Sequence, residues 1–271
     1  MRRFLRWGWL AVIGPVALGA QPRSGDPVRG LALLSAFRDS LPTYSGNGLR
    51  CVSCHLENGT RGRAMPWTAT LSRYPRYRSR PGYEETIERR INECIARSLA
   101  GKMLHEDSRE MRDMVAYIAT LNGRPRHDRV DTVKLAGSVT RGRQGYAASC
   151  ARCHGGEGQG MPALNAPAVW GRGSYSIGAG MARQFTLATF LKHNMPFDGV
   201  DTLSAQRAAD IAAFVLSKAR QDHPGKEHDW PRGDPPADVA YATTAARRAG
   251  KPVPPPRPLL TRRVSPDSLS R

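Results

Sequence analysis

The chain has 271 residues, 40% of them hydrophobic, and its 41 Lys and Arg against 23 Asp and Glu give a formal charge of +18. That length allows two modest domains or one large one, and with ordinary apolar content nothing beyond a leader segment demands a membrane. Nucleic acid, an acidic membrane surface and small anions compete as counterparts; the cations are mostly Arg, spread along the whole chain instead of gathered in a recognisable module, which argues against nucleic acid, and a composition bias toward Arg accounts for much of the excess.

Arg2, Arg3 and Arg6 precede a short apolar run, Trp7 to Ala17, and Leu18-Gly19-Ala20 supplies the small residues of a cleavage site. This is the pattern of an export signal over residues 1–20, which predicts the periplasm and meets a membrane only before cleavage. After a polar stretch, the apolar spacing from Val28 to Leu41 predicts a helix. Thr86 to Leu99 predicts another, with Ile87, Ile91, Cys94, Ile95 and Ser98 on one face and Gly101 as its stop. A third begins with Asp107 as N-cap and Glu110 closing a capping box, and carries the stripe Met111, Met114, Val115, Ile118 and Leu121. Residues 124–132 read as a linker.

The pattern then restarts. A helix from Val139 to Ala148 leads into a Gly- and Pro-rich loop over 155–180, and Ser204 to Lys218 closes the unit with Ala208, Ile211, Ala212 and Val215 inward. From Gln221 the chain is rich in Pro and Arg, and is either a disordered tail or an extension wrapped on the domains. The layout is a duplication: helix, Cys pair, long loop, closing helix, twice. It predicts an all-α fold of two tandem domains, 21–123 and 133–220, followed by the irregular extension 221–271.

The chemistry sits in two C-x-x-C-H motifs, Cys51-Val52-Ser53-Cys54-His55 and Cys150-Ala151-Arg152-Cys153-His154. Two thiols at this spacing add across the vinyl groups of a haem while the adjacent His reaches its iron. Redox or zinc Cys pairs are the rival reading, disfavoured by two full copies in a duplicated frame. Two covalently attached haem c groups are therefore expected, on Cys51 and Cys54 with His55, and on Cys150 and Cys153 with His154, in cytochrome c-like domains.

Each iron needs a sixth ligand or an open site. In the second domain the candidates are Met161, Met181, Met195, Lys192 and His193, and Met195, just before the closing helix, is favoured by position. In the first they are Met65, Met103, His105 and Cys94. Cys94 is the only Cys outside the attachment motifs and follows His55 at about the distance that separates Met195 from His154. A lone helical Cys is usually a small core residue. Arg90 one turn before and Ser98 one turn after share its face, however, and that trio suits a small oxyanion, which the guanidinium fork binds well.

The run Arg89-Arg90-Ile91-Asn92-Glu93-Cys94-Ile95-Ala96-Arg97-Ser98-Leu99-Ala100-Gly101 and its continuation Asp107-Ser108-Arg109-Glu110-Met111 resemble the dihaem thiosulfate dehydrogenases (tetrathionate synthases). So do Trp170-Gly171, Ser174-Tyr175, Gly178-Ala179-Gly180-Met181 and Asn194-Met195-Pro196. The resemblance spans Gly46 to Lys218. It implies His55 and Cys94 on a catalytic haem, His154 and Met195 on an electron-exit haem, and thiosulfate held by Arg80, Arg90 and Ser98. It implies reversible coupling of two thiosulfates to tetrathionate, with electrons passing from the first haem to the second and on to a cytochrome or other redox acceptor. Two positions depart from the family: Asn194 stands where some relatives carry a Lys before the Met, with Lys192 nearby, and Ala100 replaces the usual Asn. A plain dihaem electron carrier with a passive Cys94, or the haem subunit of a thiosulfotransferase, are the alternative readings.

Overall fold

The computed structural model describes residues 24–123 and 130–261; the segment read as an export signal and most of the linker lie outside the described residues. The first helix, α1 (Pro27–Ser35), starts where Asp26 accepts the N–H groups of Val28 and Arg29, with Pro27 at the first helical position. It breaks at Ala36, and α2 (Phe37–Ser40) follows, so the single helix expected over 28–41 is two. Phe37 explains the break: the turn brings it fully into the core beside Leu33 and Leu34. A 3-10 turn over Cys51–Ser53 and the short α3 (Leu56–Gly59) follow.

Next comes an antiparallel hairpin, β1 (Arg76–Arg78) with β2 (Tyr83–Glu85), in which Arg76 pairs with Glu85. This small sheet corrects the all-α expectation. Thr86 caps α4 (Ile87–Arg97) by accepting the Arg89 N–H. For α5 (Arg109–Thr120) the cap is Ser108, one residue later than expected, because Ser108 accepts the Met111 N–H. Glu110 closes no box there; it pairs with Arg29 of α1 at 2.8 Å.

The second domain runs through α6 (Val139–Ser149), α7 (Ala151–His154), α8 (Gln184–Asn194) and α9 (Ala205–Leu216), and α10 (Thr244–Arg248) lies in the extension. No expectation covered α8. Its buried positions Leu187, Ala188, Phe190, Leu191, His193 and Asn194 fall on more than one face, and the N-cap residue Arg183 makes no side-chain cap, the Phe185 N–H going instead to Asp238 of the extension at 2.8 Å, so it shows neither an amphipathic stripe nor a local start signal.

The two domains share one device. In the first, α1 crosses α5 so closely that a Cβ on Gly30 would lie 1.9 Å from the Asp113 carbonyl oxygen; in the second, α6 crosses α9 and Gly142 stands in the same relation to Asp210, also 1.9 Å. Each Asp side chain then accepts the backbone N–H that opens the facing helix, from Asp26 at 2.7 Å and from Ser138 at 2.8 Å. Each also pairs with an Arg of that helix, Arg29 and Arg141 respectively.

Residues 221–261 form the wrapping extension. Asp229 takes both terminal nitrogens of Arg97 at 2.8 Å, Asp238 accepts from Arg183, and the Trp230 N–H donates to the Arg80 carbonyl at 2.8 Å. Buried Trp230, Ala240 and Tyr241 supply the apolar anchors.

Candidate active site

A cavity of about 590 Å³ opens inside the first domain and reaches the second. Cys51, Cys54 and His55 line one side of it; Ile87, Arg90, Ile91, Cys94, Ile95 and Ser98, one face of α4, line another. Its volume is in the range of cofactor sites, and Leu34, Leu49, Trp67 and Ile118 make much of the remaining wall apolar.

The two imidazoles are held alike. His55 turns Nδ1 to the Met65 carbonyl, and His154 turns Nδ1 to the Pro167 carbonyl at 2.8 Å. A backbone acceptor at Nδ1 fixes the proton there and leaves the Nε2 lone pair for a metal. Burial lowers the His55 pKa to about 4 and pushes His154 down as well, so both rings stay neutral at working pH. Burial raises the thiols of Cys51 and Cys54 to about 12, and that of Cys150 to about 11.

Among the described residues, no three His, Cys, Asp or Glu side chains converge on a point that one ion could occupy. A zinc centre needs such convergence. A wide, largely apolar chamber with two thiols and one oriented imidazole on its wall fits a large flat prosthetic group. The donor set therefore fits a haem c, which Cys51 and Cys54 would tether and whose iron His55 would hold.

Of the candidates for the opposite position in this domain, Met103 and His105 are exposed and do not line the cavity. Met65 does, but its carbonyl already serves His55 on that side. Cys94 stands on α4, close enough to Arg90 that its charge is the foremost influence raising the guanidinium above the ordinary arginine range. The Ser98 carbonyl accepts from Asn47 Nδ2 at 2.8 Å, and the same amide donates to the Ser174 carbonyl of the second domain at 3.0 Å. Ser176 Oγ donates to the Arg97 carbonyl at 2.7 Å. The end of α4 is thus pinned by Asn47 and Ser176.

Arg80 is not with this trio. Its Nη1 donates to the Gly178 carbonyl at 2.7 Å, and its guanidinium lies 4.7 Å from the centre of the Trp230 ring. It is not among the residues that line the cavity, and Trp230 and Gly178 offer its guanidinium a stacking face and an acceptor. Arg78, two residues earlier, lines the cavity instead. Among the described residues the charged side chains on the wall are seven Arg and one Lys, with no carboxylate.

In the second domain, Met195 terminates α8, half-buried against the core. Its rivals are engaged elsewhere: Lys192 Nζ donates to the Asp201 carbonyl at 3.3 Å, and His193 holds Asp201 and the Asp131 carbonyl. Asn194 is fully buried and donates to the carbonyls of Arg63 and Phe190. Met161 is exposed, and Met181 lines the first cavity. Asn47, Arg78, Glu85 and Asp229 escaped sequence reading; each is a polar residue whose role depends on a partner distant in the chain.

Two C-x-x-C-H turns, each with an Nδ1-anchored imidazole in a duplicated helical frame, define a c-type cytochrome of two domains carrying covalently bound haem c. Residues 43–123 match the family described as SoxA/TsdA, cytochrome c domain, and residues 137–215 match Cytochrome C oxidase, cbb3-type, subunit III. The chain is 38% identical over 259 residues to a thiosulfate dehydrogenase of Allochromatium vinosum, covering 83% of this chain and 94% of that protein. It is 40% identical over 227 residues to one of Psychrobacter arcticus, covering 78% and 68%. A solved thiosulfate dehydrogenase (TsdBA) from Marichromatium purpuratum superposes with a TM-score of 0.67 at 31% identity, over 73% of this chain and 47% of that longer one. The chain belongs to the thiosulfate dehydrogenase family of cytochromes.

Proposed function

We propose that this cytochrome oxidises thiosulfate in the periplasm, joining two molecules into tetrathionate and passing two electrons to an external redox protein. Family membership supports the substrate. The observation that carries the site is the α4 face, which sets Cys94, Arg90 and Ser98 on the wall of the chamber that Cys51, Cys54 and His55 also line.

The reaction forms one S–S bond between two dianions and releases two electrons with no net proton. At about 4 Å, two unit charges interact by about 1 kcal/mol in water and about 4 kcal/mol at an effective dielectric near 20, so two dianions repel by roughly four times as much. A wall of cations with no carboxylate among its lining residues offsets this cost, and Arg90 supplies a fork matched to sulfonate oxygens. Ser98 Oγ can donate to a third oxygen, and the pinned end of α4 keeps both groups pre-oriented. Cys94 lines the same chamber as the attachment turn, and its sulfur would be a second ligand to the iron that His55 holds and would meet the outer sulfur of the substrate. When bound, the haem supplies the electron acceptor. His154 and Met195 would hold the iron of the second domain, which serves as the exit. The basic surface suits an acidic partner protein.

Purified protein given thiosulfate and ferricyanide tests the reading. Thiosulfate-dependent reduction in the wild type and its loss in Cys94→Ala are expected. No turnover, or equal turnover in both, would return the chain to the plain electron-carrier reading. Electron paramagnetic resonance checks thiolate ligation separately.

A further inference from the structure

One short segment of the first domain reaches toward both expected iron sites. At one end, the Met65 carbonyl takes Nδ1 of His55. Two residues earlier, the Arg63 carbonyl accepts from Asn194 Nδ2 at 3.0 Å, and Asn194 immediately precedes Met195. The same amide donates to the Phe190 carbonyl at 3.1 Å, which ties it back to α8. Asn194 is fully buried, and so is Ala64 between the two carbonyls.

The chain takes an uncommon path to make these bonds. Arg63 and Met65 have φ of 64° and 51°, the left-handed region that residues with a Cβ seldom occupy. Such conformations persist where the surroundings fix them. The fixing contacts come from both domains, since the Arg63 guanidinium also pairs with both carboxylate oxygens of Asp201, at 3.2 and 2.9 Å. The imidazole of the second domain is served differently. Pro167 holds His154 Nδ1, and the Val169 carbonyl, two residues on, accepts from Arg220 of the same domain. Ordinary domain packing accounts for buried contacts between two surfaces. It does not account for two neighbouring carbonyls that end on one expected ligand and on the residue beside another.

We propose that segment 63–65 is a shared scaffold for the two iron centres, in which Arg63 and Asn194 are positioning residues. The segment sets the imidazole orientation at the first iron and the approach of the Met195 sulfur at the second, because hydrogen-bond partners of ligands fix how those ligands point. This rests on reading His55 and Met195 as axial ligands. Arg63 and Asn194 make no bond to a reacting atom; they hold the two redox centres in one fixed relation.

The test compares the purified holoproteins of wild type, Asn194→Leu, Asp201→Asn and Met195→Ala. Electron paramagnetic resonance reads both ferric haems, and imidazole, which competes with a thioether for iron, is titrated against the second. Asn194→Leu keeps the bulk and loses the donor. Imidazole then binds the second iron about 10- to 100-fold tighter than in wild type, the usual effect of losing an outer partner of a ligand. The g values of the first haem shift as well, although its own ligands are untouched. Asn suits the left-handed backbone at position 201, where φ is 61°, so Asp201→Asn loosens Arg63 from an exposed site without disturbing the turn. It moves the first haem's signal in the same direction by less, and it carries the test alone if Asn194→Leu yields no folded holoprotein. Met195→Ala removes the ligand, leaves the bridge and changes the second haem only. A change confined to the second haem in both bridge variants overturns the shared scaffold, as does a wild-type imidazole affinity in Asn194→Leu. A second-haem signal unmoved by Met195→Ala overturns it by a different route, through the ligand reading on which it rests.

Discussion

The two domains are built on one plan and diverge at one place. Both close a helix crossing over a glycine and lock it with a buried Asp and an Arg. Both hang an imidazole by Nδ1 from a backbone carbonyl, and both back it with a glycine in the left-handed region, Gly59 against Trp67 and Gly158 against Trp170. What differs is the element expected to supply the second ligand to the iron. In the second domain it is α8, ending in Met195, whose polar neighbours are consumed by Asp201 and Arg63. In the first it is α4, whose inward face carries a thiol, a guanidinium and a hydroxyl. The shared frame holds a prosthetic group, and the divergent helix decides whether anything else can bind beside it.

The sharpest way to break that contrast is Cys94→Ala beside Met195→Ala. Thiosulfate-dependent reduction falls by more than about 100-fold in Cys94→Ala, because losing even an outer partner of a metal ligand costs about 10- to 100-fold. Met195→Ala leaves the first domain's spectrum intact and alters that of the second. Stopped-flow reduction of each variant reads both outcomes; equal slowing by the two substitutions would mean that the helices do the same work.

A second test concerns the extension, which supports the two facing helices unequally. It meets α4 through a buried pair, since Asp229 takes both nitrogens of Arg97 and a third bond from the Tyr241 hydroxyl. Asp229→Ala leaves Arg97 buried with only Glu93 as its acid, and a stability loss of about 3 kcal/mol follows in denaturant unfolding. Asp238→Ala, at the more open pair with Arg183, costs less. A larger loss for Asp238 would reverse the assignment of the extension as a brace for the first domain's site.

How legible this was follows from which forces act locally. The attachment motifs and the α4 face could be read because covalent chemistry and helical periodicity each confine their signal to a few neighbouring residues. Cys94, Arg90 and Ser98 sit on one face for that reason alone. The hairpin could not be read: Arg76 to Glu85 has no apolar alternation, its two tyrosines are exposed, and the burial of Glu85 beside Arg78 depends on the fold around it. The stacking of Arg80 on Trp230 could not be read either, because its partner lies far along the chain in the extension. The wrapping of 221–261 depends on a few aromatic and ionic anchors, which composition cannot separate from a solvated tail.

The helix crossings give a smaller and more symmetrical effect. A methyl at Gly30 or Gly142 meets a carbonyl oxygen at 1.9 Å, so Gly30→Ala and Gly142→Ala each force the helices apart at a cost of about 1–3 kcal/mol. Near-equal losses in thermal unfolding are expected if the crossings are equivalent, and a gap above about 2 kcal/mol would show that one domain tolerates a looser frame.

The smallest effect is a pH dependence in the second crossing. Arg141, followed by the Ser138 N–H and Gln206, outweighs burial and holds the Asp210 carboxyl at about 2. In the unfolded chain an Asp titrates near 3.9. A depressed folded-state value means that the contribution is fully present above about pH 4 and is lost as pH falls toward 2, because the unfolded chain takes up the proton first. The Arg141 side chain is 62% exposed, so solvent screening trims the contribution to about 1 kcal/mol. Asp113 is shifted in the same direction: burial opposes the shift, and the Asp26 N–H and Arg29 outweigh it. Asp210→Asn keeps an acceptor for the Ser138 N–H and removes the titration. Its denaturation midpoint is therefore lower than that of the wild type at pH 6, and the two curves converge between pH 4 and 2. Curves that stay parallel through that window would mean that the aspartate serves the second crossing by shape alone.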